Sequence, residues 1–223
     1  TIGDSLYLSA FDGSHAFLFG ALNKNDTLRG FFRSGIHYMV DWYAVKNENI
    51  ELTHPDSLTY LVNSNPITFE LPDLKGNMYK FPNPETDNKV TIIQLLGTWC
   101  PNCWDESLYL KTLKEKYSDR LNIVAVTFET PETLEGKIEK VNSYKTNLAL
   151  NYTFVIGGSA CKTCASNLFP QLNNIISFPT MIVLDKKGEV RKIHTGFNGP
   201  GTGEYYTSFV SATNTFIEGL INE

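Results

Sequence analysis

The 223-residue chain has no apolar run as long as the roughly 20 residues that a membrane-spanning helix needs. It also lacks a basic excess, since its net charge is −5 and its pI is near 5.4, which argues against nucleic acid binding. Repeats and low-complexity segments are absent, and 42% hydrophobic with 19% charged residues is typical of a folded globular protein. The chain begins at Thr1 without a methionine or a signal peptide, as a trimmed or processed chain would.

Cysteine is scarce and occurs only in closely spaced pairs. The four cysteines form two C-x-x-C pairs, Cys100/Cys103 and Cys161/Cys164, with no odd cysteine and no dense disulfide framework. Such usage suits a redox protein of an oxidising compartment, although it also permits a cytosolic one.

Residues 1–50 predict a small antiparallel β-meander domain, because alternating apolar and polar residues are interrupted by glycine-containing turns. We expect this domain to be incomplete at its N-terminus. The stretch 47–65 is rich in Asn, Pro and Ser, and residues 51–65 within it are predicted to form a linker. From residue 66 to residue 223 the pattern predicts one α/β domain, a mixed central sheet with a parallel centre flanked by helices. Its predicted strands are 69–71, 78–81, 90–96, 121–128, 152–156, 180–184 and 189–194, and its predicted helices 101–117, 131–146, 161–172 and 204–221.

The first C-x-x-C follows a buried strand and opens a helix, which is a favourable position for thiol chemistry. Unpaired backbone N–H groups and the helix dipole favour the thiolate of Cys100, the predicted attacking thiol, and Cys103 is the predicted resolving thiol. Pro101 fits the first helical position, and Trp99 is either an apolar lid or a packing residue. Glu106 either transfers a proton to Cys103 or only complements the positive helix end.

Phe178-Pro179-Thr180 is the second element, since a proline at the first position of a strand removes a ladder donor. Together with Trp99–Cys103, Glu106 and the order of elements, it makes residues 66–223 resemble the thioredoxin fold. The inserted helix and strand and the C-x-x-C-x-x-E spacing are similar to the bacterial TlpA/ResA-like thiol–disulfide oxidoreductases, which share a fold with the AhpC/TSA peroxiredoxins. Leu95-Leu96-Gly97 departs from the aromatic pair common in that family, which alters packing and not chemistry.

The resemblance implies a site and a setting. A cis Pro179 would face Cys100, and the Phe178 backbone would pair with an incoming peptide like an added strand. The predicted substrate-binding residues are Trp99, Pro101, Asn102, Phe178, Pro179 and Thr180. The family is extracytoplasmic, so we expect a periplasmic or cell-envelope location, with any membrane tether outside this chain. An upstream thiol protein would supply electrons, and sulfur carries the chemistry without a metal or other cofactor. No cysteine has the P-x-x-x-T-x-x-C context of a peroxiredoxin.

The second pair, Cys161/Cys164, is not implied by the resemblance. It follows a predicted strand at the same sheet edge as Cys100, because parallel strands end on one edge. Three interpretations remain open: a local structural disulfide, a second redox pair that exchanges electrons with Cys100/Cys103, and a four-cysteine zinc site. The 57 residues between the two pairs exceed the spacing of about 15–20 residues typical of paired zinc knuckles.

The sequence therefore predicts a thiol–disulfide oxidoreductase that reduces disulfides of proteins or peptides and contributes to redox homeostasis outside the cytoplasm. Two alternatives belong to other classes. One is a partner-binding module on a thioredoxin scaffold, and the other is a metal-binding protein that uses all four cysteines as ligands.

Overall fold

The computed structural model describes residues 5–11, 16–24, 27–34 and 38–223. The chain divides into two units, residues 1–52 and residues 53–223. In the first unit the described strands form one antiparallel sheet in the order β1-β2-β3-β4, as the β-meander pattern predicts. These strands are β1 (Ser5–Phe11), β2 (Ala16–Lys24), β3 (Thr27–Ser34) and β4 (Tyr38–Val45). The predicted turns at 12–14 and 34–35 lie wholly or partly outside the described residues.

The second unit alternates strands and helices around a five-stranded sheet of order β11-β10-β7-β8-β9. Strands β7, β8 and β9 are parallel, whereas β10 runs antiparallel to β7 and β11, which confirms the predicted mixed sheet with a parallel centre. Its elements are α1 (Pro55–Leu58), β5 (Phe69–Pro72), β6 (Met78–Phe81), β7 (Val90–Leu96), α2 (Pro101–Tyr117), β8 (Leu121–Glu129), α3 (Leu134–Asn147), β9 (Thr153–Ser159), α4 (Lys162–Leu168), β10 (Thr180–Leu184), β11 (Val190–Thr195) and α5 (Glu204–Asn222).

Strand β7 is the centre of this sheet and positions the first C-x-x-C. All seven of its residues are buried, because β10 and β8 pair with its edges and the core covers both faces. A strand buried on both faces needs a nearly continuous apolar run, which is what Val90–Leu96 provides. Within the described residues, no helix combines the length and the hydropathy required to cross a membrane.

Two helices differ from their predicted bounds by more than one residue. Helix α3 begins at Leu134 rather than at Pro131, because Thr133 caps it and its hydroxyl accepts a hydrogen bond from the Gly136 N–H at 3.1 Å. Helix α4 ends at Leu168 rather than at residue 172, since the following Pro170 has no N–H with which to continue the helix.

Most of the predicted linker packs onto the second unit. Residues 53–65 cluster with that unit and contain helix α1, whose Asp56 Oδ1 lies 2.6 Å from His194 Nδ1 and whose Oδ2 lies 3.1 Å from Lys192 Nζ. Burial, opposed by the hydrogen bond between His194 and the Asp56 carboxylate, leaves the pKa of His194 below its ordinary value. The prediction of a linker at 51–65 is therefore wrong for 53–65, because a polar composition does not reveal ion pairs with a distant strand.

Asp56→Ala is expected to lower the free energy of unfolding by about 1–2 kcal/mol, because it removes charge-assisted hydrogen bonds at a half-buried site. Urea denaturation of the full chain measures the change. Replacement of the exposed Glu115 with alanine is the matched control and should change stability by less than about 0.5 kcal/mol. Equal stability of the two variants would contradict an anchoring role for Asp56.

Candidate active site

The first C-x-x-C occupies the junction between β7 and α2. Cys100 is the N-cap of α2, with extended backbone angles (φ −99°, ψ 116°), and Pro101 takes the first helical position. The Cys103 and Trp104 N–H groups both donate to the Cys100 carbonyl, at 3.1 and 3.3 Å. Both cysteines are free thiols, so the strand-to-helix turn presents an unpaired dithiol as the sequence predicts.

The surroundings of the Cys100 sulfur favour the thiolate. The Cys103 side chain hydrogen bonds to this sulfur and, together with the backbone N–H groups of Cys103 and Asn102, holds the pKa of Cys100 below its ordinary value against the effect of burial. As a thiol, Cys100 donates to the Phe178 carbonyl at 3.5 Å. These surroundings are those expected of the attacking thiol in a C-x-x-C pair.

Cys103 has the opposite environment. Its side chain has no exposed surface, and burial, followed by its hydrogen bond to Cys100, raises the pKa of Cys103 well above the ordinary value. The two cysteines therefore have opposite pKa shifts. Cys100, the less deeply buried of the two, favours the thiolate, and Cys103 favours the protonated thiol.

Glu106 lies one helical turn after Cys103 and is completely buried. Its Oε2 accepts a hydrogen bond from Gln94 Nε2 at 2.8 Å, whereas its Oε1 has no hydrogen-bond partner in the described part of the chain. Burial raises the pKa of Glu106 to about 8. A solvated charge that merely complements the helix end does not have this environment, so the structure favours a carboxyl group available for proton transfer.

A polar network that the sequence analysis missed surrounds this carboxyl group. Gln94 Nε2 also donates to the Ser107 hydroxyl at 3.1 Å, and the Tyr144 hydroxyl lies 2.8 Å from Ser107 Oγ and 3.0 Å from the Cys103 carbonyl. The available signal was Gln94 itself, an amide side chain in a buried strand that is otherwise apolar except for Thr91.

The predicted proline lies beside the cysteines. The Phe178–Pro179 peptide bond is cis, as the resemblance implies, and the Phe178 carbonyl faces Cys100. The Phe178 ring stacks on Phe128 at 5.4 Å and meets Trp99 edge-on at 6.0 Å. Thr180 is buried and its hydroxyl donates to the Ser177 carbonyl at 2.8 Å, so its side chain is engaged within the fold.

The accessible surface of the site consists of the turn itself. Trp99 is 43% exposed, Asn102 is exposed and Pro101 is half-buried. Trp104, which the sequence analysis did not select, is 40% exposed and its Nε1 donates to the Thr98 carbonyl at 2.8 Å. Two exposed indoles next to a reactive sulfur provide an apolar surface for a substrate.

Glu129, at the end of β8, fixes the strand-to-helix turn and was also missed. Its carboxylate accepts hydrogen bonds from the Thr98 N–H at 3.0 Å and from the Thr98 hydroxyl at 2.6 Å. Burial raises the pKa of Glu129. An acidic residue that ends a buried strand was the signal for it.

The second pair, Cys161 and Cys164, forms a disulfide at the start of α4. This α4 turn follows β9, and the first C-x-x-C follows the parallel strand β7, so both pairs lie at the carboxyl edge of the sheet, as predicted. Disulfide sulfurs are not thiolate ligands, so this state of the pair does not fit the four-cysteine zinc interpretation.

Comparisons with known proteins agree with this geometry. The sequence profile of the Redoxin family matches residues 61–208. The thioredoxin-like protein YneN of Bacillus subtilis is 27% identical over 57% of this chain and 68% of its own length. The thiol–disulfide oxidoreductase ResA of Halalkalibacterium halodurans is 27% identical over 58% of this chain and 66% of its own length.

A solved thiol:disulfide interchange protein of the thioredoxin family from Chlorobium tepidum shows the same fold. It superposes with a TM-score of 0.51 and 16% identity, and the match covers 72% of this chain and 99% of that protein. The family profile, the related oxidoreductases and the buried dithiol agree: this chain belongs to the Redoxin family and is a TlpA/ResA-like thiol–disulfide oxidoreductase of the thioredoxin superfamily.

Proposed function

We propose that this chain reduces disulfides of protein or peptide substrates in an extracytoplasmic compartment. The observation that carries the proposal is the opposite displacement of two pKa values within one dithiol, with that of Cys100 lowered and that of Cys103 raised. Such a pair holds one sulfur ready to attack and keeps the other protonated until it is needed.

The reaction follows from this asymmetry. The Cys100 thiolate attacks one sulfur of the substrate disulfide, forms a mixed disulfide and expels the other substrate sulfur as a thiolate. Cys103 then gives up its proton, attacks the Cys100 sulfur and releases the second substrate thiol. The ionised form of Glu106 is the proposed proton acceptor for Cys103, because it lies one turn away with a carboxyl oxygen that has no hydrogen-bond partner in the described residues. The product is an oxidised Cys100–Cys103 pair that an upstream thiol protein would reduce.

Substrate binding is proposed to use the exposed turn and the Phe178 backbone. The Phe178 carbonyl accepts the Cys100 S–H, and this donor is lost when Cys100 ionises. The carbonyl is then free to accept a backbone N–H of an extended peptide, in the manner of an added strand. The exposed Trp99 and Asn102 would contact the side chains next to the substrate disulfide.

The extracytoplasmic location is supported by the resemblance to the TlpA/ResA-like oxidoreductases. It also agrees with a cysteine content that consists of two C-x-x-C pairs, which suits an oxidising compartment. A membrane tether, where present, would lie outside this chain.

Cys103→Ser is expected to accumulate a mixed disulfide with a disulfide-bonded peptide, because Cys100 still attacks and no thiol resolves the product. Non-reducing mass spectrometry should show most of the variant carrying one peptide, against less than about a tenth of the wild type. Cys100→Ser is the matched control and should capture none. Partner binding that persists under full reduction, with no captured peptide, would favour a binding module over an enzyme.

A further inference from the structure

The disulfide between Cys161 and Cys164 constrains very little of the chain. It closes a loop of only four residues, and the Ala165 N–H already donates to the Cys161 carbonyl, so the first turn of α4 closes without it. Short loops gain the least stability from a cross-link. Both cysteines are half-buried, and the intervening Lys162 and Thr163 are exposed, so this disulfide is accessible to a thiol.

The two C-x-x-C turns are held by the same residue. The Glu129 carboxylate accepts hydrogen bonds from Thr98, two residues before Cys100, and the Glu129 carbonyl accepts one from the Ala160 N–H, directly before Cys161, at 2.9 Å. Strand β8, which ends at Glu129, is the single strand between β7 and β9. The strand spacing therefore places the turns about 10 Å apart on one edge of the sheet.

We infer that the Cys161–Cys164 disulfide is a second redox centre that exchanges electrons with the Cys100/Cys103 dithiol. This inference rests on the proposed function, because it requires Cys100 to be a nucleophile. Its supports are the shared sheet edge, the accessibility of the disulfide and its small structural constraint.

The exchange of electrons between the two pairs needs no further reactant. The Cys100 thiolate attacks the Cys164 sulfur and expels Cys161 as a thiolate, which the Cys164 N–H stabilises, since it donates to Cys161 Sγ at 2.9 Å. Cys103 loses its proton and attacks the Cys100 sulfur, which expels Cys164. Two electrons and the Cys103 proton pass from the Cys100/Cys103 pair to the Cys161/Cys164 pair, which is left with one thiol and one thiolate, and the reverse sequence returns them.

This exchange has two routes, one within a single chain and one between two copies. The Trp99 Nε1 donates to the Phe128 carbonyl at 2.9 Å, so the indole is anchored near the end of β8, the strand between β7 and β9. Exchange within one chain requires the two turns, about 10 Å apart, to approach each other, whereas exchange between two copies does not.

The first test is a redox titration of the full-length wild type in glutathione buffers of graded ratio, followed by alkylation, tryptic digestion and mass spectrometry. Trypsin cleaves after Lys162, so Cys161 and Cys164 are read on separate peptides. We expect the oxidised fraction of both to fall from above 90% to below 10% as reduced glutathione increases. A pair that stays oxidised in reduced glutathione alone, in the folded protein, would overturn the inference.

The second test uses Cys103→Ser/Cys161→Ser, which retains the two sulfurs of the intermediate. Oxidation with dithiodipyridine should link the peptides of Cys100 and Cys164, at least tenfold above the same peptides from a Cys100→Ser/Cys103→Ser/Cys161→Ser control. A link within a monomer indicates exchange in one chain, and a link within a dimer indicates exchange between copies. Absence of this linked peptide overturns the inference, and capture of substrate by Cys103→Ser shows separately whether the proposed function holds.

Discussion

Replacing Cys100 with serine is expected to slow the reduction of a protein disulfide by about a thousand-fold or more, to the rate without catalyst. The lowered pKa of Cys100 increases the fraction of the thiolate, whereas a serine hydroxyl does not ionise in the range where thiols do. The measurement is the rate of insulin reduction with dithiothreitol as the electron source.

The fold of this variant should be intact, because serine is close to cysteine in size and the S–H to Phe178 carbonyl bond can be replaced by an O–H donor. Its urea midpoint is the control and should lie close to that of the wild type. If Cys100→Ser kept more than about a tenth of the wild-type rate while Cys103→Ser lost it, the assignment of the nucleophile would be wrong.

Glu106→Gln is expected to remove a large pH dependence of stability. The pKa of Glu106 is about 8 in the folded chain because of burial, against 4.5 as the ordinary value. Below pH 4.5 both states hold the proton, and between 4.5 and 8 the unfolded chain alone releases it. The stabilising contribution is therefore complete at low pH and is lost as the pH rises through 8. Its size is up to about 5 kcal/mol.

Urea denaturation from pH 5 to pH 9 under reducing conditions measures this effect. The difference in unfolding free energy between Glu106→Gln and the wild type should increase toward pH 9 in favour of the variant, whereas the exposed Glu115→Gln should show no such trend. A constant difference across the range would mean that Glu106 is ionised throughout.

The same variant tests proton transfer. Glu106→Gln should slow the decay of the mixed disulfide by about 10²–10⁴-fold, while its formation by Cys100 changes much less. Single-turnover kinetics with a quenched alkylation readout separates the two steps. Equal slowing of both steps would indicate a structural role instead.

The boundaries of the sheet illustrate what a local pattern can predict. Val90–Leu96 is strand from end to end as its continuous apolar run indicates, and α2 begins at Pro101 because proline suits the first helical position. Helix α4 was predicted too long, since the residues after Leu168 retain helical spacing although Pro170 stops the hydrogen-bond ladder. The polar residues 53–65 gave no local sign that Asp56 pairs with His194, 138 positions away.

The sequence by itself determined the mixed α/β domain and the C-x-x-C of Cys100 and Cys103, because strand periodicity and cysteine spacing are local properties. Its resemblance to a known family implied the thioredoxin-like fold and the proline turn opposite the dithiol. Only the tertiary structure showed that Glu106 is buried with a raised pKa, that Gln94 and Glu129 serve the site, and that Cys161 pairs with Cys164. Burial and hydrogen-bond partners come from residues distant in the chain. For that reason the chemical state of each side chain was settled by packing rather than by spacing.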